Sequence, residues 1–330
     1  MNPLGFSIII PAKEISSYLL EAIPVTLALE YRDFEIIILP NDPPGKNLPD
    51  VLRHEKISIV PTGRVSPAAK RDLGAEKARY GYLAFLDDDA YPKSDWLLKA
   101  QALFREKKVA ALGGPAMTPP NAALFEKASG LFFETYVGGG GFDYRYKPGK
   151  GPFYVDDFPS VNLIVERQAF LKVGGFDSQY WPGEDTKFCL DFVKAGFNIL
   201  YSPELVVWHH RRSNIFAHLS QVGGYGRHRG HFARKFPETS ARFIYFMPSG
   251  FLAGNLAFLL FSFVHVLFFQ AWLFLLAFYF LIAALDVFSR TREVKLGLCT
   301  LMTIYLSHLT YGFRFLQGFF GRSEFKSRLL

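Results

Sequence analysis

Short apolar runs alternate with longer amphipathic ones over the first third of the chain. Residues 6–10 (FSIII), 35–39 (EIIIL), 57–60 (ISIV) and 82–86 (YLAFL) are brief and rich in β-branched side chains, the pattern of buried strands. Ser16–Glu30 has helical apolar spacing despite Pro24. Pro67–Tyr80 opens with a first-turn proline and carries Lys70, Arg71, Glu76 and Lys77 on its polar positions. Strands alternating with helices predict an α/β fold built on a parallel sheet. Ligands of such sheets gather beyond the carboxyl ends of strands, which directs attention to Pro11, Ala12 and Glu14, to Asn41 and Asp42, and to Asp87–Asp89. The pattern then changes. Phe243–Leu285 contains no Asp, Glu, Lys or Arg, room for two membrane crossings of about 20 residues each, with a break expected near His265 and Gln270. A third apolar stretch covers Leu296 to Phe320. The glycine run Gly138–Gly141 reads as a mobile loop.

Composition supports a membrane component. Half of the 330 residues are hydrophobic and 17% aromatic, with 35 Phe, which excludes an intrinsically disordered chain. The formal net charge is +7 and most of the excess is local. Arg211–Arg242 holds seven basic residues against the single acid Glu238, a balance of +6, directly before the uncharged run. That juxtaposition follows the positive-inside bias and suits anionic headgroups at a cytosolic face. Three domains are expected: a catalytic α/β domain over 1–210, a basic juxtamembrane segment over 211–242, and membrane helices over 243–330. A third full crossing would carry Arg322, Lys326 and Arg328 to the outer side against the charge rule, so a tilted or interfacial last helix is the alternative. The amino terminus lacks a basic n-region and a small-residue cleavage site, which predicts no secretory signal and a cytosolic start. Cys189 and Cys299 are too few for a disulfide framework or a cysteine-based metal site.

Three constellations carry chemistry. In FLDDDAYP a hydrophobic strand stops at Asp87, Asp88 and Asp89. Adjacent carboxylates repel, and a divalent cation with hard oxygen ligands, Mg²⁺ or Mn²⁺, would relieve them; a solvated acidic turn is the plain alternative. In GGFDSQYWPGEDTKFCLDFVKAG, Glu184 and Asp185 open an amphipathic helix, where acids also serve as ordinary caps. In VVWHHRRS, His209 and His210 follow an apolar strand, and such a His can complete a metal site.

Taken in this order, over roughly residues 5–235, these residues resemble the family 2 glycosyltransferases, whose nucleotide-sugar domain has the GT-A fold. SIIIPAKE is similar to the family's first strand and nucleotide-contacting turn, AAKRDLGAEKARYGYLAFLDDDA to its helix and D-x-D motif, and VGGFDSQYWPGED to its acceptor-side loop. The resemblance implies that Asp87 and Asp88 lie on the nucleotide side, that Asp89 and His209 serve the metal, that Asp185 is the general base and that Glu184 orients the acceptor. It also departs in three places. The acid usual after the second strand falls near Pro40, which moves base recognition to Asn41 or Asp42. The usual R-N pair is Arg71 and Asp72, leaving Arg71, with Lys70, for the diphosphate and Asp72 without a role. The Q-x-x-R-W signature of processive synthases survives only in part as QVGGYGRHRG, where Arg227 and Arg229 suit either a diphosphate or lipid headgroups.

The implied partners are a UDP- or GDP-linked sugar and a lipid-linked acceptor at a cell membrane, with several passes and the catalytic domain facing the cytosol. Few spans speak against a polymer-exporting channel and for single or limited additions. A polyprenyl-phosphate sugar synthase and a non-catalytic membrane partner of a glycan export system are the alternatives. Nucleic acid is not an expected partner, because the basic cluster adjoins the apolar run. Tyr180, Trp181, Asn162 and the loop from Gly138 to Asp157 are expected to line the pocket.

Overall fold

The computed structural model describes residues 4–45 and 48–321. In chain order β1 (Phe6–Pro11), α1 (Ser17–Leu27), β2 (Phe34–Leu39), β3 (Ile57–Ile59), α2 (Pro67–Lys77) and β4 (Tyr82–Leu86) precede β5 (Ala90–Pro92), α3 (Trp96–Glu106), β6 (Ala111–Gly113) and β7 (Ala116–Met117). Next come α4 (Leu124–Glu134), α5 (Tyr136–Gly139), β8 (Phe153–Val155), β9 (Asn162–Glu166), α6 (Arg167–Lys172), α7 (Glu184–Lys194), β10 (Ile199–Tyr201) and β11 (Val207–His209). The chain ends in α8 (Ile215–Lys235), α9 (Pro237–Ser240), α10 (Phe243–Ser262), α11 (Val266–Phe288) and α12 (Val294–Phe320). Among the described residues these form two compact units, 4–119 with 147–210 and 120–146 with 211–321.

In the first unit an eight-stranded sheet runs β3-β2-β1-β4-β9-β6-β10-β8. The four predicted strands β3, β2, β1 and β4 are its parallel half. β9 is antiparallel to both of its neighbours, so the sheet is mixed where the alternating pattern predicted a parallel one. β1 and β2 are buried throughout, as their mainly apolar runs require. Their two polar exceptions answer each other: Ser7 Oγ donates to Glu35 Oε1 at 2.6 Å, and Glu35 also accepts from the Arg79 amide. A three-stranded sheet, β5-β11-β7, stands beyond the end of β4.

Helix α2 begins where predicted, with Ser66 Oγ accepting from the Ala69 amide and Pro67 in its first turn. It approaches β1 through Gly74, where a Cβ would stand 2.5 Å from the Ile9 side chain. Its polar positions divide between solvent and interior. Glu76 and Lys77 are not buried, whereas Lys70 and Arg71 are. Both find acceptors inside, which removes the reason to keep them in water.

In the second unit α8 and α12 pack closely at glycines. A Cβ on Gly230 would lie 2.0 Å from the Phe315 carbonyl oxygen, and one on Gly318 would lie 1.9 Å from that of Arg227. His218 of α8 joins Ser129 of α4 (2.8 Å) and Ser307 of α12 (3.0 Å), all buried. Residues 120–146 therefore fall with the C-terminal helices, although they lie inside the range 1–210 expected to form the catalytic domain. The expected glycine loop is partly helical: Gly138 and Gly139 close α5, with Thr135 Oγ1 accepting from the Gly138 amide and Asp286 Oδ2 from that of Val137.

Two helices among the described residues, α10 and α11, are long and apolar enough to cross a membrane. Their side chains stay largely exposed, unlike those of a soluble core helix. The break falls at Phe263–His265, and Gln270 lies within α11. α12 does not join that pair. It carries Lys295 and Arg314 and buries Thr300, Thr303 and Ser307, in keeping with a helix packed on protein along one side. Arg322, Lys326 and Arg328, on which the charge argument turned, lie outside the described residues.

Candidate active site

The site is built where β4 ends. Asp87, Asp88 and Asp89 fill the turn between β4 and β5, and β5 pairs antiparallel with β11 so that Ala90 faces His209. This register carries a distant histidine onto the acid turn. The His210 amide donates to the Asp89 carbonyl at 3.0 Å, and His209 Nε2 lies 3.0 Å from Asp89 Oδ1. Asp87, Asp89 and His209 each offer one ligand atom, all within 4.8 Å of one another, so that Asp87, expected on the nucleotide side, lies with the two residues expected to serve the metal. Two carboxylates and an imidazole fit Mg²⁺ or Mn²⁺ by donor type. Asp88 occupies a drier place: burial, then the charges of Asp89 and Asp87, push its acid up to about 7.

Three consecutive residues of α2 organise the surroundings. Lys70 Nζ donates to the Ala12 carbonyl (2.6 Å), to the Leu39 carbonyl (3.2 Å) and to Asn41 Oδ1 (2.6 Å), tying together the ends of β1 and β2. Burial lowers its pKa, and Asp88 and Asp42 oppose that shift. Arg71 donates from Nη2 to Asp87 Oδ1 at 2.7 Å and from Nη1 to Glu184 Oε1 at 3.1 Å. Asp72 accepts from the Phe176 amide at 2.8 Å and so holds the GGFD turn, whose Gly174 and Gly175 have φ of +87° and +74°. Burial raises the Asp72 acid to about 6.

Glu184 and Asp185 open α7 as the sequence pattern predicts. Glu184 is buried against Arg71, while Asp185 is half-buried and accepts from the Thr186 amide. Burial, then the neighbouring Asp185 charge, push the Glu184 acid upward, and Arg71 opposes them. Among the other expected site residues, Pro11 and Ala12 are buried at the end of β1, and Glu14 and Asp42 are exposed. Arg227 and Arg229 belong to the second unit, where Arg229 donates to Ser240 Oγ and lies over the Tyr245 ring.

Asn162 does not line a pocket. It is fully buried, accepts from Trp96 Nε1 and donates to the Leu205 carbonyl, which fixes the segment leading into β11. Sequence reasoning also missed the tie between Asp72 and Phe176, for which the unusual acid beside Arg71 was the available signal.

Residues 7–162 match the family model described as glycosyl transferase family 2. An uncharacterized glycosyltransferase of Haemophilus influenzae is 33% identical over 105 residues, 30% of this chain and 42% of that one. The pre-mycofactocin glycosyltransferase of Mycobacterium tuberculosis is 26% identical over 176 residues, 53% of this chain and 36% of its own. The chain thus spans well under half the length of these curated relatives. Among solved structures, the mannosyltransferase PcManGT from Pyrobaculum calidifontis, in complex with GDP-Man and Mn²⁺, has a TM-score of 0.64 at 14% identity. That match covers 98% of this chain and 90% of the other. GalNAc-T7 with UDP, GalNAc and Mn²⁺ has a TM-score of 0.50 at 16% identity, covering 74% and 52%. At such identities the likeness is one of fold. An α/β sheet whose central strand ends in an acid turn, matched by the family model from its first strand to the start of β9, leads to one conclusion: residues 7–162 resemble glycosyl transferase family 2, on a fold of the GT-A kind.

Proposed function

We propose that the chain is a membrane-anchored, metal-dependent, inverting glycosyltransferase. It moves a sugar from a UDP- or GDP-linked donor to a hydroxyl of a lipid-linked acceptor at the cytosolic face, in single or limited additions. The observation that carries this reading is the convergence of Asp87, Asp89 and His209 from two distant segments at the end of β4. PcManGT with GDP-Man and Mn²⁺, and GalNAc-T7 with UDP and Mn²⁺, support the donor class.

Asp87, Asp89 and His209 would hold Mg²⁺ or Mn²⁺, which when bound would supply positive charge against that of the departing diphosphate. The loops bearing Pro11, Ala12, Glu14, Asn41 and Asp42, drawn together by Lys70, meet the nucleotide with Asp88 beside them. An alcohol does not ionise at neutral pH, so a carboxylate must take its proton as the new bond forms. Asp185 is that base. The acceptor oxygen bonds to the anomeric carbon, the bond to the diphosphate breaks, and the hydroxyl proton passes to Asp185. Attack opposite the leaving group inverts the anomeric centre. α10 and α11 cross the bilayer, and the basic residues of 211–242, Arg227 among them, lie against anionic headgroups.

A panel of UDP- and GDP-sugars, incubated with the full chain, Mn²⁺ and a membrane lipid extract, tests the reading by mass spectrometry. One added sugar on a lipid, lost on chelation, is the expected product. Transfer that persists without a divalent cation refutes the metal reading, and a product formed only on lipid phosphates refutes the hydroxyl acceptor.

A further inference from the structure

We propose that Glu184 is the counter-charge that sets the cation affinity of the Asp87, Asp89 and His209 cluster, acting through Arg71, and is not an acceptor-side group. The inference rests on the metal-dependent reading above. Arg71 is 4% exposed and divides its guanidinium between Asp87, at 2.7 Å, and Glu184, at 3.1 Å. Asp87 therefore serves two cations. Arg71 orients its carboxylate, and the same positive charge opposes a divalent ion arriving at that carboxylate.

Glu184 resolves the conflict. Its own side chain is 7% exposed, so water screens its pull on Arg71 little. Arg71 and Glu184 together are neutral, Asp88 is set against Lys70, and the remaining carboxylates, Asp87 and Asp89, match a divalent ion charge for charge. Without the Glu184 charge the same four groups sum to −1, and Arg71 turns its full charge on Asp87. The charge of Asp185, next along the helix, also acts on Arg71, but less than those of Asp87 and Glu184. Two neighbouring acids at the start of α7 thus divide the labour: one neutralises a buried cation and the other faces the reaction. Glu184 is a positioning residue whose effect should appear in metal binding as well as in turnover.

The test measures Mn²⁺ affinity of the full chain in detergent, by the electron paramagnetic resonance signal of free Mn²⁺, on the alkaline side of neutrality. Glu184→Gln keeps the shape and removes the charge, and should weaken Mn²⁺ binding by about tenfold or more. Asp185→Asn, one residue along the same helix, should leave Mn²⁺ affinity within about threefold, because only the weaker of the two α7 charges on Arg71 is lost. The double variant Arg71→Met with Glu184→Gln removes the ion pair as a unit, a change that buried pairs tolerate better than loss of one partner. It should recover Mn²⁺ affinity relative to Glu184→Gln alone. Unchanged affinity in Glu184→Gln, or no recovery in the double variant, overturns the inference and leaves the metal reading standing. Failure of the unmodified chain to bind Mn²⁺ overturns both.

Discussion

Lys70→Met deletes one ammonium and leaves most of the buried stem in place. Lys70 is 3% exposed, and its Nζ donates to Ala12 O, Asn41 Oδ1 and Leu39 O. Leu39 O keeps a second donor, the Ala12 amide at 3.1 Å, so the loss falls mainly on Ala12 O and Asn41 Oδ1. A hydrogen bond to a charged donor contributes about 1.5–3 kcal/mol, giving about 3–6 kcal/mol for two. Methionine recovers part of that, because a buried ammonium costs several kcal/mol to desolvate. The net destabilisation should be about 2–3 kcal/mol. For a unit of this size each kcal/mol lowers Tm by about 2–4 °C, so a fall of about 4–12 °C is expected. Differential scanning fluorimetry of the detergent-solubilised chain reads it. Nucleotide diphosphate affinity, titrated in parallel, should fall by about tenfold, equivalent to about 1.4 kcal/mol of lost loop ordering. A Tm within about 2 °C of the unmodified chain, together with unchanged nucleotide affinity, would refute the reasoning, since the expected loss is at least twice that.

Asp185→Asn should lower kcat by about 10²–10⁴, the usual contribution of a general base, while donor affinity stays within twofold or so. Retained turnover in steady-state assays removes Asp185 from the mechanism. His218 supplies a pH dependence in the second unit, because burial, followed by the Arg211 charge, pulls its pKa from 6.5 to about 4. The neutral ring is the folded form, so its stabilising contribution is complete above pH 6.5 and is lost as pH falls toward 4, by up to about 3 kcal/mol. Tm measured across that window should decline more steeply in the unmodified chain than in His218→Gln, and parallel curves would count against it.

The parallel half of the sheet was legible because its strands are short, mainly apolar runs rich in β-branched residues. The acid turn was legible because three carboxylates ending a strand repel one another unless a cation or water screens them. β6, β7 and β10 were not, since two or three residues such as Ala111–Gly113 carry no periodicity to read. α12 illustrates a different limit. Its apolar composition suggested a crossing, but much of its surface is committed to α8, α10 and α4, and only tertiary packing distinguishes a protein-facing stripe from a lipid-facing one. The second unit's claim on residues 120–146 was hidden for the same reason: α4 is an ordinary amphipathic helix by pattern, and its partners Val222, Leu301 and Ile304 lie far downstream.

The site itself shows what charge pattern alone could not read in α2. Lys70, Arg71 and Asp72 follow one another, so on a helix they project about 100° apart, and periodicity alone would send at least two of them to water. Here each meets a different loop: Lys70 the ends of β1 and β2, Arg71 the acids Asp87 and Glu184, and Asp72 the amide of Phe176. Such an arrangement requires the helix to sit low on the sheet, and Gly74, one turn later, permits it by leaving room for Ile9. Nothing in the apolar periodicity announces that three adjacent charges face inward, because their partners are backbone groups and acids contributed by segments from Ala12 to Glu184. The ends of β1, β2 and β4 and the acid-bearing helix α7 are therefore linked through a single turn of α2. A perturbation of that turn reaches both ends of the site, which is why substitutions at 70, 71 and 72 discriminate among the roles assigned to their partners better than substitutions at the partners themselves.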